Sequence, residues 1–432
     1  VEKHLFAVLG MQHASFRQPL PATLAPDMSN GYAVASQPAK PYEIVVPAPA
    51  GSLAASGEDM ARFMMAHLDN GASPGGRILS DATAQLMHST PTDMIPPLNR
   101  MDLGFYEQNY NGHRVISHGG DTQYFHSYLH LLLDDHVGFF VSVNSAGREG
   151  ASLRGPLFEG FLNRYFPAPH EVKPIDEATA KAHAAQIAGS YESSRRPETN
   201  FFSFVGLLGP TKIVDNGDGT ISMPMLKGQN QVPRRYVEVA PYVWRDPVTF
   251  NRLAAKVENG RIVRFSADEL SPFMVFEPAP AWRSMRWLMP ATMAALIVVF
   301  GTALLWPVAA ITRRRHGVRL PLSGDALRAH RNSRIAAAAI SVVSAAWVGL
   351  IAWGSASLGF TSSMDWMLHV MQALSVVAYW GGAIVLCLSA RAAFTHGRPL
   401  LAKTWSVALA LSGLVFLWLA YVYHLMHFGT RY

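Results

Sequence analysis

Four uncharged apolar stretches near the C-terminal end constrain this chain more than any other feature. Residues 287–312, 335–364, 366–390 and 404–430 contain no Asp, Glu, Lys or Arg, and each exceeds the roughly 20 residues that a helix needs to cross the hydrocarbon core of a bilayer. A soluble core helix seldom needs so long an apolar run. Residues 281–432 therefore read as four transmembrane helices, at about 287–312, 335–360, 366–390 and 404–427.

The loops between these spans carry basic residues unevenly. Arg313, Arg314, Arg315, Arg319, Arg328, Arg331 and Arg334 lie between the first and second, and Arg391, Arg398 and Lys403 between the third and fourth, with none between the second and third. By the positive-inside rule the basic loops are cytoplasmic, so everything before the first span, and the C-terminus, is expected outside. The expectation is a multi-pass protein of the cell membrane with extracytoplasmic N-terminal domains. Residues 285–432 hold 12 Lys and Arg against 2 Asp and Glu, which leaves the rest of this +6 chain at −4. The basic balance thus reports membrane topology, and the bilayer, not a nucleic acid, is the expected macroscopic partner.

The single Cys387 falls inside the third span, so no intrachain disulfide can form. Asp365 and His369 are spaced i,i+4, and His424 and His427 i,i+3, at what topology makes the same outer face. A metal or proton site is conceivable there; interfacial side chains in an aromatic belt with Trp366, Tyr421 and Tyr423 are the expected reading. No metal and no cofactor are expected.

Upstream, Pro167, Pro169 and Pro174 suggest a linker, followed by a helical stretch over 175–187 and a β-rich region. Asn216-Gly217-Asp218-Gly219 and Asn259-Gly260, each flanked by β-branched residues, mark two hairpins, because both turn positions need positive φ. Residues 168–280 therefore read as a linker and a small antiparallel sheet or barrel ending near Phe276. Asp215 to Thr220 is not a calcium loop, since its acidic residues stand at the wrong offsets and Leu226 replaces the closing glutamate.

In the first 167 residues, Ser56 and Asp59 resemble a capping box that opens a helix with apolar Met60, Phe63, Met64 and Leu68. His67 on that helix is expected to be partly exposed and without a catalytic role. A second helix is expected over 153–165. Gly71-Ala72-Ser73-Pro74-Gly75 matches a nucleophile elbow in letters only: Pro74 has no N–H to offer an oxyanion, and the segment follows a helix where an elbow follows a strand.

The chemistry-bearing segment is Ser117-His118-Gly119-Gly120-Asp121-Thr122, set among three strand-like runs with Asp134-Asp135 as the last turn. Paired glycines in a strand mark a bulge or a close approach of backbone to ligand. With Leu9-Gly10-Met11-Gln12-His13-Ala14-Ser15-Phe16 and the stretch from Pro47 to Met60, in this order and spacing, the segment resembles the β-lactamase-related serine hydrolases: class C β-lactamases, D-alanyl carboxypeptidases and related esterases. The resemblance covers roughly residues 1–167. It implies an α+β fold, here a partial serine β-lactamase-like domain with an antiparallel sheet and flanking helices.

That family works with a Ser-x-x-Lys on a helix, a Tyr-x-Asn on a loop and a Lys-Thr-Gly or His-x-Gly on the edge strand. Only the third is here. No lysine in the chain has a serine three positions before it, and no tyrosine begins a Tyr-x-Asn. Ser142-Val143-Asn144 follows the His-Gly-Gly strand, whereas the family's motif precedes it, and is read as coincidence. The chain is expected to lack an N-terminal part carrying the nucleophile. The resemblance implies that His118 faces substrate, that Gly119 and Gly120 admit it closely, and that the backbone N–H of Asp121 is an oxyanion donor. The implied function is a membrane-anchored extracytoplasmic serine hydrolase acting through an acyl-enzyme on a small-molecule or peptide amide or ester. The alternative is a non-catalytic ligand-binding or sensory membrane protein that keeps the domain. A transporter is the weakest reading, since the spans carry few charges and no inverted repeat.

Overall fold

The computed structural model describes residues 1–45, 48–89, 94–147, 153–169, 171–356, 360 and 362–430. Pro47, part of one resemblance landmark, and 357–359 of the expected second span lie outside them. Two compact units form: residues 1–195 with 211–278, and residues 196–210 with 279–432.

In the first unit the opening helical turns end at Gly10, whose φ of 67° is the left-handed stop that glycine tolerates best. The helix Gly57–Leu68 follows its Ser56 cap, whose hydroxyl accepts the Asp59 N–H. The box is only half closed, because Asp59 Oδ2 accepts the His13 N–H at 2.8 Å instead of turning back to Ser56. This helix covers one face of a four-stranded antiparallel sheet in the order Tyr106–Glu107, Val115–Asp121, His126–Leu132, Val137–Val143. Met64 of the helix packs with Phe105, Ile116, Leu129 and Leu131. The helix Arg154–Tyr165 covers the other face, where Phe158 and Leu162 bury against Val115 and Leu132.

The β-rich region is a closed barrel of eight strands. The Asn259-Gly260 turn takes φ values of 51° and 72° between Arg252–Glu258 and Arg261–Ala267, as a two-residue hairpin demands. Phe276–Pro278 closes the wall by pairing antiparallel with Gly189–Ser193. Tyr191, Met223, Tyr236, Trp244, Leu253, Phe265 and Phe276 fill the inside, with Ala184 and Ile187 from the helix Glu177–Ile187. Ile95 and Leu98 join the barrel to the sheet domain by packing on Ala254 and Val275, and the Asn99 N–H bonds Asp268 Oδ1 at 3.0 Å.

The second unit has four helices long and apolar enough to cross a membrane: Ala281–Arg315, Gly324–Gly354, Ser362–Thr395 and Leu400–Val422. The third contains a π-helical turn, Val376–Gly381. Trp347 anchors the core, its indole N–H donating to Ser375 Oγ at 2.7 Å. Leu304, Val342 and Val377 are exposed on the outside, where lipid would cover them. The fourth helix ends at Val422, short of the expected 427, and His424 follows with a φ of 55°, a conformation that cannot continue a right-handed helix. Residues 196–210, which the sequence assigns to the β-rich region between two barrel strands, belong to this unit. Phe201 there is buried against Trp347 and Phe360, at ring distances of 5.5 and 5.3 Å.

Candidate active site

The strand Val115–Asp121 is paired along its whole length with His126–Leu132, but on its other side Tyr106–Glu107 reaches only Ile116 and Ser117. The edge from His118 to Asp121 is free of strand partners among the described residues. The Tyr106 hydroxyl accepts the Gly119 N–H at 2.8 Å on that edge. Because N–H groups alternate sides along an antiparallel strand, the Asp121 N–H turns to the same open edge. His118 and Gly120 share the other orientation, with the exposed His118 imidazole 5.5 Å from the Tyr106 ring. Opposite Gly120 stands Ser127, whose Oγ would lie 2.7 Å from an added Cβ.

His118, Gly119, Gly120 and Asp121 all line one cleft of about 1440 Å³, whose wall also includes Ser142 and Asn144. The sequence reading dismissed Ser142-Val143-Asn144 as chance in a strand. The register puts Ser142 opposite Ser127, and Asn144 donates to Ser29 Oγ and to the Asn30 carbonyl, both at 2.9 Å, tying the strand to the cleft's rim. Small-molecule pockets span roughly 300–1,000 Å³, so this cleft is larger than a single small ligand needs.

The side chain of Asp121 is occupied. Its Oδ1 accepts from Arg154 and from His126 Nδ1, each at 2.7 Å, and Arg154 donates in addition to the Ser127 carbonyl at 2.7 Å. Arg154, from the first turn of the second helix, thereby fastens the end of the strand that carries the glycines. No local signal marks it, since Arg154 and Asp121 are 33 residues apart. Ser117 is fully buried, with its hydroxyl on the Tyr106 carbonyl. Ser73 sits in a two-residue ribbon, its Oγ donating to the Gly76 carbonyl at 2.8 Å; an added Cβ on Gly75 would meet the Val8 carbonyl at 2.1 Å. Those glycines serve a tight turn and not an elbow.

His67 is not partly exposed, as its place on the helix suggested. It is buried, Nδ1 lies 3.0 Å from His88 Nε2, and the rings of Phe63 and Phe105 press on it. Burial, reinforced by His88, pulls its pKa down to about 4, so the pair is neutral at pH 7. Nearby, buried Asp102 has no hydrogen-bond partner for either carboxyl oxygen among the described residues. Burial beside Glu107 raises its pKa to about 7 against the pull of Arg114 and Arg100. Sequence reasoning named His67 without its burial and did not single out Asp102, because both owe their state to partners that fold over them.

Among the described residues no three His, Cys, Asp or Glu side chains converge as metal ligands. His424 and His427 lie beyond the last helix with their rings 5.8 Å apart, and the His369 ring stacks on Phe428 at 6.5 Å.

Residues 1–158 match the β-lactamase family model. No curated protein matches the chain. Solved structures with partial similarity include the octameric penicillin-binding protein homologue from Pyrococcus abyssi, at 14% identity and a TM-score of 0.31, with 64% of this chain and 59% of that one covered. SurE aligns at 13% identity and a TM-score of 0.37, covering 64% and 62%, and SurE with D-Leu at 12% and 0.37, covering 64% and 61%. The chain thus spans about three fifths of the length of these proteins.

Proposed function

We propose that this chain supplies one wall of a membrane-anchored extracytoplasmic serine hydrolase that cleaves an amide or ester through an acyl-enzyme. The observation that carries the reading is the unpaired strand edge at His118–Asp121 opening onto the cleft, within the 158 residues that match the β-lactamase family model. A serine hydrolase needs N–H donors fixed where the carbonyl oxygen becomes an oxyanion, and removing one such donor costs about 3 kcal/mol in characterised enzymes. The Asp121 N–H is our candidate donor. The His118 imidazole faces the acyl group, and the two glycines let an extended substrate lie close to the strand.

The nucleophile and its lysine are, in this reading, supplied from outside residues 1–432. In this reading the four apolar helices hold the catalytic domain at the membrane, with the basic loops on the cytoplasmic side.

The test uses a fluorophosphonate probe on two proteins: the 432-residue chain, and a longer form that carries an upstream Ser-x-x-Lys helix. The longer form should label and lose labelling when that serine becomes alanine, while the 432-residue chain should stay unlabelled. Labelling of the shorter chain at Ser73 or Ser142 would overturn the assignment of the nucleophile. A longer form that never labels, yet binds small amides reversibly, would favour a sensory domain.

A further inference from the structure

At one end of the four-helix unit, basic side chains outnumber acidic ones ten to one: Arg313, Arg314, Arg315, Arg319, Arg328, Arg331, Arg334, Arg391, Arg398 and Lys403 against Asp325 alone. Asp325 is already committed to Arg328, three residues on in the same helix. Most of these cations extend into solvent. Lys403, half-buried, lies over the Phe394 ring at 5.4 Å; Arg313 at the end of the first helix, Arg334 on the second and Arg398 in the connection to the fourth are half-buried as well.

Those three arginines belong together. Arg334 lies within electrostatic reach of Arg313 and Arg398, and His330, one turn before Arg334 on the same helix, feels all three. Arg334 donates to Ser333 Oγ at 2.9 Å, which leaves most of its N–H groups free of protein acceptors among the described residues. Neither Arg313 nor Arg398 has a carboxylate partner there. Half-buried cations that repel one another are costly unless an anion completes them. Their exposed neighbours Arg314, Arg315, Arg331 and Arg391 show that the chain has water within reach at this end.

We propose that Arg313, Arg334 and Arg398 form a binding site for a phosphate group at the basic end of the helices. Guanidinium forks suit phosphate oxygens because each can donate two parallel N–H bonds. Basic pockets between helices at a membrane face are suited to anionic headgroups, and a soluble phosphate offers the same oxygens.

The experiment places the full 432-residue chain in nanodiscs of phosphatidylcholine alone, or of equal parts phosphatidylcholine and phosphatidylglycerol, and follows thermal unfolding and the lipid retained in native mass spectra. A third arm adds inorganic phosphate to the phosphatidylcholine discs. Phosphatidylglycerol should raise the unfolding midpoint and be retained. The double variant Arg334→Gln with Arg398→Gln should bind it about 25-fold more weakly, taking about fivefold per basic residue removed. The equally charged control Arg314→Gln with Arg315→Gln should keep the gain. If inorganic phosphate reproduces the gain and the lipid does not, the site stands and its ligand is soluble. If the glutamine pair fails to fold, Arg334→Lys with Arg398→Lys keeps the charge, loses the forks and should retain only part of the gain. No response to either phosphate source, or equal loss in both glutamine pairs, overturns the site.

Discussion

In the four-stranded sheet, the strand Val115–Asp121 runs unpaired on one side beyond Ser117, whereas every strand of the barrel has a neighbour on both sides. Both are antiparallel, and both grow from hairpins with legible turns. The difference is what each leaves over. Closure removes every edge and turns the barrel's inner side chains into packed core, so the barrel is a body that other parts can lean on. The open sheet keeps an edge without a strand partner from His118 to Asp121, where the Gly119 N–H meets only the Tyr106 hydroxyl, and an edge that can be spent on a ligand is an edge that contributes little to stability.

This contrast can be broken at several points. The largest effect should come from the barrel interior: Phe265→Ala removes a fully buried ring stacked on Phe276 at 5.0 Å and should cost about 3–5 kcal/mol in urea unfolding of the first unit. A loss below about 1 kcal/mol would mean the barrel is not a cooperative core.

Next comes Asp102, whose raised pKa works against folding. Below pH 4 the carboxyl is protonated in folded and unfolded chains alike. As pH rises toward about 7 the unfolded chain releases the proton while the folded one holds it, so stability falls over that window. Asp102→Asn should therefore stabilise the sheet domain by about 1–2 kcal/mol at pH 8, and the gain should vanish near pH 4. A pH-independent difference would remove titration from the explanation.

The smallest effect belongs to the open edge itself. His118→Ala, at an exposed position, should change stability by less than about 0.5 kcal/mol, yet on the longer, labelling form it should slow reaction with the fluorophosphonate. A large loss of stability with no change in labelling would make His118 a packing residue.

Part of this architecture could be read from neighbouring residues. The apolar helices, the Ser56 cap, the Asn259-Gly260 hairpin and the strand bearing His118 all rest on interactions within a few positions, and they form as the pattern requires. The candidate site was legible as a strand with glycines, but its surroundings were not. Arg154 reaches Asp121 across 33 residues, and Asn144 reaches Ser29 across 115; neither partner carries a local mark. His67 was expected to be partly exposed on its helix, but Phe105 and His88 close over it.

The sequence by itself determined where the long apolar helices and the turns fall, because hydropathy and turn geometry are properties of short segments. Only the tertiary structure decided which strand edge stays open, that Phe276–Pro278 closes the barrel on Gly189–Ser193, and that residues 196–210 leave the barrel's sequence to pack among the long apolar helices. Each of those outcomes depends on which surfaces meet. Burial drives such meetings through total apolar area, and that quantity is blind to distance along the chain.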